Sequence, residues 1–419
     1  MVKKSYQWGG GATLGEHSRH KHKILGAYIR RYLQERCRNP HSRCFRLAVV
    51  DGFAGGGRYK DGSPGSPVIF AETLLDTIHA INFERTVGGM PKVEVECLMI
   101  LNDTDPEATR QLPGAVAPCI AKSREADSAV TLRVEYTQGE FEGMVNAFHT
   151  LVAGGRYQNV IYNLDQCGHS HVNRTTIARL VKSVRSVEIF LTFAVEALIS
   201  FLSQKEPERT RKQLEPLGLR PGALEFTNAL VSRDEWLGTA ERVVFEHFRA
   251  TAPFVTPFAI NNPDGWRYWF MHFACHHRAR QVFNNVLHDN SSALAHFGRA
   301  GLHMLSYNPA HKDGSLYLFN SGARDAARQQ LPDDIARLVS EGGDTIGISK
   351  FYSSVYPEPS AHSDDIHNAI LNSPDLDVLT PKGNPRRRAH TISSKDTLYR
   401  KAQRSFHLPG STRPQKDKI

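Results

Sequence analysis

Residues 46–57 read RLAVVDGFAGGG, a short apolar run that stops on Asp51 and a glycine-rich turn. An apolar run with no polar alternation marks a strand buried on both faces, the habit of parallel strands in α/β proteins. The glycines that follow carry no Cβ and let main-chain amides approach whatever lies above the strand end. In open α/β sheets that is where ligands sit.

The same pattern repeats downstream. After RYKDGSPGSP the sequence predicts a helix over about 67–80, with Pro67 suited to its first turn. A second strand, VEVECLMIL, closes on Asn102-Asp103-Thr104-Asp105-Pro106, and a helix starts near Pro106. The third, TLRVEY, closes on Gln138-Gly139-Glu140-Phe141, and the fourth, NVIYNL, on Asp165-Gln166-Cys167-Gly168. A helix through Ile177, Leu180, Val181 and Val184 leads to a fifth strand, VEIFLTF. Five strands alternating with helices predict an α/β fold with a doubly wound, Rossmann-like sheet.

Upstream, residues 18–36 place Ile24, Leu25, Tyr28, Ile29, Tyr32 and Leu33 on one helical face, with Lys and Arg opposite. Beyond the fifth strand, a charged stretch around 203–255 reads as a helical insertion. GWRYWFMHFAC (265–275) returns as an aromatic strand, and a helix runs through Val282, Phe283, Val286 and Leu287. From about 315 the composition changes. Helical segments at 331–340 and 361–371 precede DVLTPKGNPRRRAHTIS, read as a basic hairpin turning at Lys382-Gly383-Asn384-Pro385. The predicted organisation is a basic N-terminal segment and helix (1–45), a nucleotide-binding domain (46–312) and a basic winged-helix-like C-terminal domain with a tail (313–419) whose last dozen residues read as disordered.

Among the 419 residues, 40% are hydrophobic, enough for a large core, and the formal net charge is +9. That charge is unevenly placed. Residues 1–46 carry 11 Lys and Arg against 2 acids, and residues 381–419 the same, whereas the middle holds 30 against 39. A polyanion, DNA or RNA, would meet the two ends; basic termini that only aid solubility are the plainer alternative. The N-terminus lacks a secretory apolar core and no run of 18 apolar residues exists, which argues against a membrane. Six scattered cysteines with no CxxC pair read as free thiols in a reducing cytoplasm.

Four strand ends carry an acid, and each has a reading. Asp51 meets a cationic amino-acid moiety, with Phe53, Ala54, Gly55 and Gly57 lining the turn. Asp103 accepts hydrogen bonds from ribose hydroxyls, Glu140 reaches an adenine edge, and Asp165 faces a reactive methyl group. The set predicts S-adenosylmethionine (SAM) as cofactor. NAD is disfavoured because ten residues separate Gly57 from the Pro67 helix, and a Walker loop because no GK[ST] follows.

Together with GSP, NDTDPEA, QGEF, NLDQCG and EIFLTF, the DGFAGGG turn resembles the bacterial three-Cys-motif partner proteins, which are SAM-methyltransferase-like. The resemblance extends to HKHKILGAYIRRYL, FMHFAC and the C-terminal region. It implies a SAM-methyltransferase-type sheet and a partner protein carrying three cysteines, radical-SAM-like. This chain departs from the Asp-Pro-aromatic-Gly expected after the fourth strand. In amino-methyltransferases of nucleic acid that aromatic stacks on a flipped base, so its loss counts against such a mechanism.

Asp165 is the candidate catalytic residue, orienting an acceptor amine or taking its proton; a strand-end acid bound to backbone amides is the alternative. Cys167 as a nucleophile on a pyrimidine has no activating base in view. Lys21 and His22, at the start of the first helix, are candidates to reach a phosphate or a substrate mouth, and Arg386, Arg387 and Arg388 to contact phosphates from a wing. The Cys275-His276-His277 run has the wrong spacing to close on one ion, so no metal is expected. Trp266, Tyr268, Trp269 and Phe270 read as sheet core, or else as a stacking platform.

Overall fold

In the computed structural model, residues 8–195, 197–198, 202, 207–219, 243–261, 267–290, 296–297, 316–317, 321–357 and 361–401 are described. Helix α1 (Glu16–Arg36) precedes strand β1 (Cys44–Asp51) and α2 (Ser66–Val87). Then β2 (Glu94–Asp103), α3 (Pro106–Ser123), β3 (Val130–Gln138), α4 (Phe141–Gly154), β4 (Asn159–Leu164), α5 (Arg174–Val181) and β5 (Ser186–Phe193) alternate. The short α6 (Pro207–Leu214) follows, then β6 (Phe254–Thr256), β7 (Ala259–Asn261), β8 (Arg267–Ala274) and α7 (His277–Asp289). Two short strands, β9 (His296–Phe297) and β10 (Leu316–Tyr317), pair with each other.

The central sheet runs β3-β2-β1-β4-β5-β8-β6, with β7 paired to β8. Its first five strands are parallel; β8 runs antiparallel to β5, β6 and β7. Strand order reverses between β1 and β4, the place where open α/β sheets carry a crevice above the carboxyl ends. Period-two alternation fills both faces from β1: Leu47 and Val49 join the apolar cluster with α1, α2 and α7, and Ala48 and Val50 the one with α4 and α5. On the aromatic strand β8, Tyr268, Trp269 and Phe270 are all buried as sheet core, while Trp266 lies outside the described residues.

All six apolar residues named on the first helix are buried, and α1 packs against α2 and α7. Its Tyr28 hydroxyl donates to the buried Glu188 carboxylate of β5, which also meets His272 Nε2 of β8 at 3.1 Å. One carboxylate therefore ties the helix to two strands. Helix α3 starts where Asp105 accepts from Glu107 N at 2.8 Å, with Pro106 in the first turn. Parts of the 203–255 stretch lie outside the described residues; α6 is helical, and Phe254 already belongs to β6.

The C-terminal elements run α8 (Ser321–Glu341), β11 (Thr345–Gly347), α9 (Ile348–Val355), α10 (Ser363–Asn372), β12 (Leu376–Leu379) and β13 (Thr397–Arg400). Their antiparallel sheet is ordered β11-β13-β12. Leu331, Phe351, Ile366 and Ile370 share one apolar cluster with α1 and α7. Polar bonds reinforce the seam: Gln281 Nε2 donates to Tyr356 Oη at 2.8 Å, and Asn285 Nδ2 to Ser363 Oγ at 2.8 Å.

The basic hairpin differs from its prediction. The turn is where expected, with Gly383 at φ +80° and Gly383 N bonded to Thr380 O. The return pairs only briefly, Pro385 bridging Leu379 and Arg386 N bonding Val378 O; the regular partner of β12 is β13, and the Arg386 side chain is held by Asp396 at 2.9 and 3.0 Å. A 3-10 turn at Ala389–Thr391 lies between.

Candidate functional site

Three strand ends are hydrogen-bonded to one another. Gly55 N donates to Asp103 Oδ2 at 2.8 Å, joining the turn after β1 to the end of β2. The buried Asn102 amide donates to Gly52 O at 3.1 Å and Gly139 O at 2.9 Å, joining both to the end of β3. Ala54, itself buried, donates its N–H to Asn102 O at 2.8 Å. Sequence reasoning missed Asn102, although its place one residue before a strand-end acid was visible.

Asp51 is fully buried beneath the turn. It accepts from Ser66 Oγ at 2.6 Å, Asn163 Nδ2 at 3.1 Å and Phe53 N at 3.3 Å. Burial pushes its carboxyl up to about 7, against those three hydrogen bonds. Asp51, expected to meet a cationic amino group, is enclosed in this structure and braces the turn. Asp103 is half-buried; its Oδ1 accepts from Asp105 N at 2.9 Å, and burial raises its pKa despite the backbone bonds. Glu140 is exposed, at the N-cap of α4, and makes no side-chain cap bond.

The glycines serve a purpose the sequence did not show. Gly55 and Gly57 hold φ of +60° and +80°. A Cβ on Gly55 or Gly56 would strike the Trp8 indole, and one on Gly57 would come within 2.6 Å of Ala115 Cβ. The Cα side of the turn is thus packed by Trp8 and α3, and only its other side remains for a ligand. Trp8 is held by its own carbonyl, which accepts from Gln111 Nε2 at 3.1 Å.

Asp165 closes β4, and its side chain is 27% exposed. Lys21, almost wholly buried, donates to Asp165 Oδ1 and lies 3.4 Å from Thr192 Oγ1. Burial alone would raise the Asp165 carboxyl; the Lys21 ammonium, with Thr192 and His22, outweighs it and holds the pKa below the ordinary value. The expectation that Lys21 reaches a phosphate is corrected, since its charge is spent inside the protein. His22 is likewise enclosed, and burial lowers its pKa to about 4, so it is neutral near pH 7 and offers no cation.

After Asp165 the loop doubles back. Gln166, buried, accepts from His171 N at 3.0 Å and Val172 N at 3.1 Å. Cys167 is exposed. The His171 ring stands edge-on to Phe53, centroids 6.4 Å apart at 65°, and Phe53 stacks on Phe141 at 5.9 Å and 27°.

No protein-family model and no curated protein sequence matches the chain. Among solved structures it is similar to an O-methyltransferase from Bacillus cereus in complex with SAH, at 12% identity and a TM-score of 0.28, over 59% of this chain and 79% of that one. A spermidine synthase in complex with the transition-state analogue AdoDATO shares 10% identity, with a TM-score of 0.26 over 65% and 64%. Trm1 from Pyrococcus horikoshii with S-adenosyl-L-methionine shares 9%, with a TM-score of 0.30 over 93% and 92%. These are distant likenesses, and the site speaks through its own geometry.

On the C-terminal loop Arg386, expected at a phosphate, is bound to the buried Asp396; Arg387 and Arg388 are exposed on the same loop. Among the described residues, no helix is long and apolar enough to cross a membrane, and no cluster of His, Cys, Asp and Glu could hold a metal ion.

Proposed function

We propose that this protein is a SAM-dependent methyltransferase acting on nucleic acid. The observation that carries the reading is the joining of the β1, β2 and β3 ends by Asn102 and by the Gly55–Asp103 bond. The donor set fits the cofactor. A carboxylate accepts about four hydrogen bonds, so Asp103 keeps capacity for a ribose hydroxyl beyond its backbone partners Gly55, Thr104 and Asp105. Exposed Glu140 stands at the next strand end, where an adenine edge would lie. When bound, SAM supplies an electrophilic methyl group. Asp165, held ionised by Lys21, orients the acceptor by accepting its hydrogen bond and is a weak proton acceptor.

The order α8-β11-α9-α10-β12-β13 supports a winged helix with 380–396 as its wing. Helix α10 holds no Lys or Arg and exposes Asp364, so phosphate contact falls to Arg387, Arg388, Lys382 and Lys395 on the loop. Six cysteines with no disulfide among them support a reducing cytoplasm as its place.

Calorimetric titration with SAM and SAH, followed by labelled-methyl transfer to DNA, RNA and protein, tests the reading. Asp103→Ala and Glu140→Ala should each weaken binding roughly tenfold or more. Absence of SAM binding would end it. The capture of Asp165 by Lys21 favours a second reading, a non-catalytic partner subunit for a three-cysteine protein; its mark is SAM binding without transfer to any acceptor.

A further inference from the structure

We propose that Phe53 and His171 form a stacking wall for an unpaired nucleobase, whose polar edge faces Asp165. The inference deepens the reading above by naming what the acceptor side of the crevice recognises. Phe53 follows β1 and His171 follows β4, the two adjacent strands at which the sheet order reverses. Their rings meet across that gap, Phe53 half-buried and His171 exposed.

The loop that carries His171 is held at its main chain. Gln166 Oε1 holds the main chain at His171 and Val172, and Gln166 Nε2 is buried without a partner. Gly168, at φ +139°, leaves the His171 ring 3.8 Å from where a Cβ would stand. Phe53 is backed by Phe141. The His171 ring is exposed. An exposed aromatic ring fixed by its own loop meets a planar partner at little ordering cost. Asp165, on the same loop, retains acceptor capacity for an exocyclic N–H beyond Lys21 and Thr192. Bases taken out of a stack are held in this way, by rings on the face and polar groups on the edge. The small Cys167 therefore does not deprive the crevice of a stacking surface; the tertiary fold supplies one from two other loops.

The test uses the full chain and a short single strand carrying one 2-aminopurine, as DNA and as RNA, with an abasic strand as control. Stacking should quench 2-aminopurine fluorescence, and the abasic strand should bind on the order of tenfold more weakly. His171→Ala and Phe53→Leu should lose the quenching and bind both strands alike, while His171→Phe should restore it, because a stack needs a ring and not a proton. Unfolding curves for each variant separate loss of the ring from loss of the fold. Quenching that survives His171→Ala and Phe53→Leu, equal binding of abasic and base-bearing strands by the parent, or no strand binding at low salt would each overturn the proposal. The assay contains no SAM, so its failure is distinct from failure of the calorimetric titration.

Discussion

Replacing Lys21 by Met removes the cation that faces Asp165 while keeping most of the buried aliphatic stem. Breaking a buried ion pair from one side costs about 3–5 kcal/mol when both groups are enclosed. The Asp165 side chain is 27% exposed, so water screens part of the loss and about 2–3 kcal/mol is expected. Lys21→Met with Asp165→Asn should recover most of it, giving a coupling of about 1.5–2.5 kcal/mol in a double-mutant cycle. The pH dependence carries a sign. In the parent, Asp165 sits below its ordinary value of 3.8, so its stabilisation is present above pH 3.8 and is lost as pH falls through the depressed value. In Lys21→Met, burial acts without the ammonium and the carboxyl rises above 3.8, so the variant loses stability as pH rises through that window. The gap between parent and variant should be widest near pH 7 and shrink toward pH 4. Urea unfolding at pH 7.5, 5.5 and 4, followed by circular dichroism, measures it. A coupling below about 0.5 kcal/mol, or a gap independent of pH, would refute the reasoning.

Asp51 carries the opposite sign: raised from 3.8 to about 7, it stabilises the free protein below pH 3.8 and withdraws that support as pH rises to 7, up to about 4 kcal/mol. Asp51→Asn should flatten stability between pH 4 and 7, as read by denaturant midpoints. Gly55→Ala should cost about 2–4 kcal/mol, from a left-handed φ and a clash with Trp8, and Trp8→Ala in the same chain should relieve only the clash. Arg387→Gln and Arg388→Gln should each lower the salt slope of nucleic-acid binding by about one unit. Arg386→Gln should instead loosen the 380–396 loop, by taking the guanidinium from buried Asp396, which keeps the Ser393 N–H, a loss visible in hydrogen exchange.

The burial of Lys21 is legible in the sequence. Lys21 lies three, four and seven residues before Ile24, Leu25 and Tyr28, on the apolar stripe of α1 rather than opposite it. A lysine on such a stripe is buried and must be paired, so the helix itself signalled an internal acid. Its partner, 144 residues away, was not legible. Arg386 gave no such signal: three consecutive arginines look alike until Asp396 selects one of them.

Local pattern alone determined the alternating strands, the turn after β1, the acids at the strand ends and the apolar face of the first helix. Each follows from a short period or from a residue whose backbone freedom is intrinsic. The tertiary structure decided what those residues touch. It put β8 antiparallel beside β5, set Trp8 against the glycines, spent the Lys21 charge on Asp165 and brought Phe53 to His171. Such contacts join residues far apart in the chain, and no periodicity encodes them; they arise when the packed core fixes which loops share one end of the sheet.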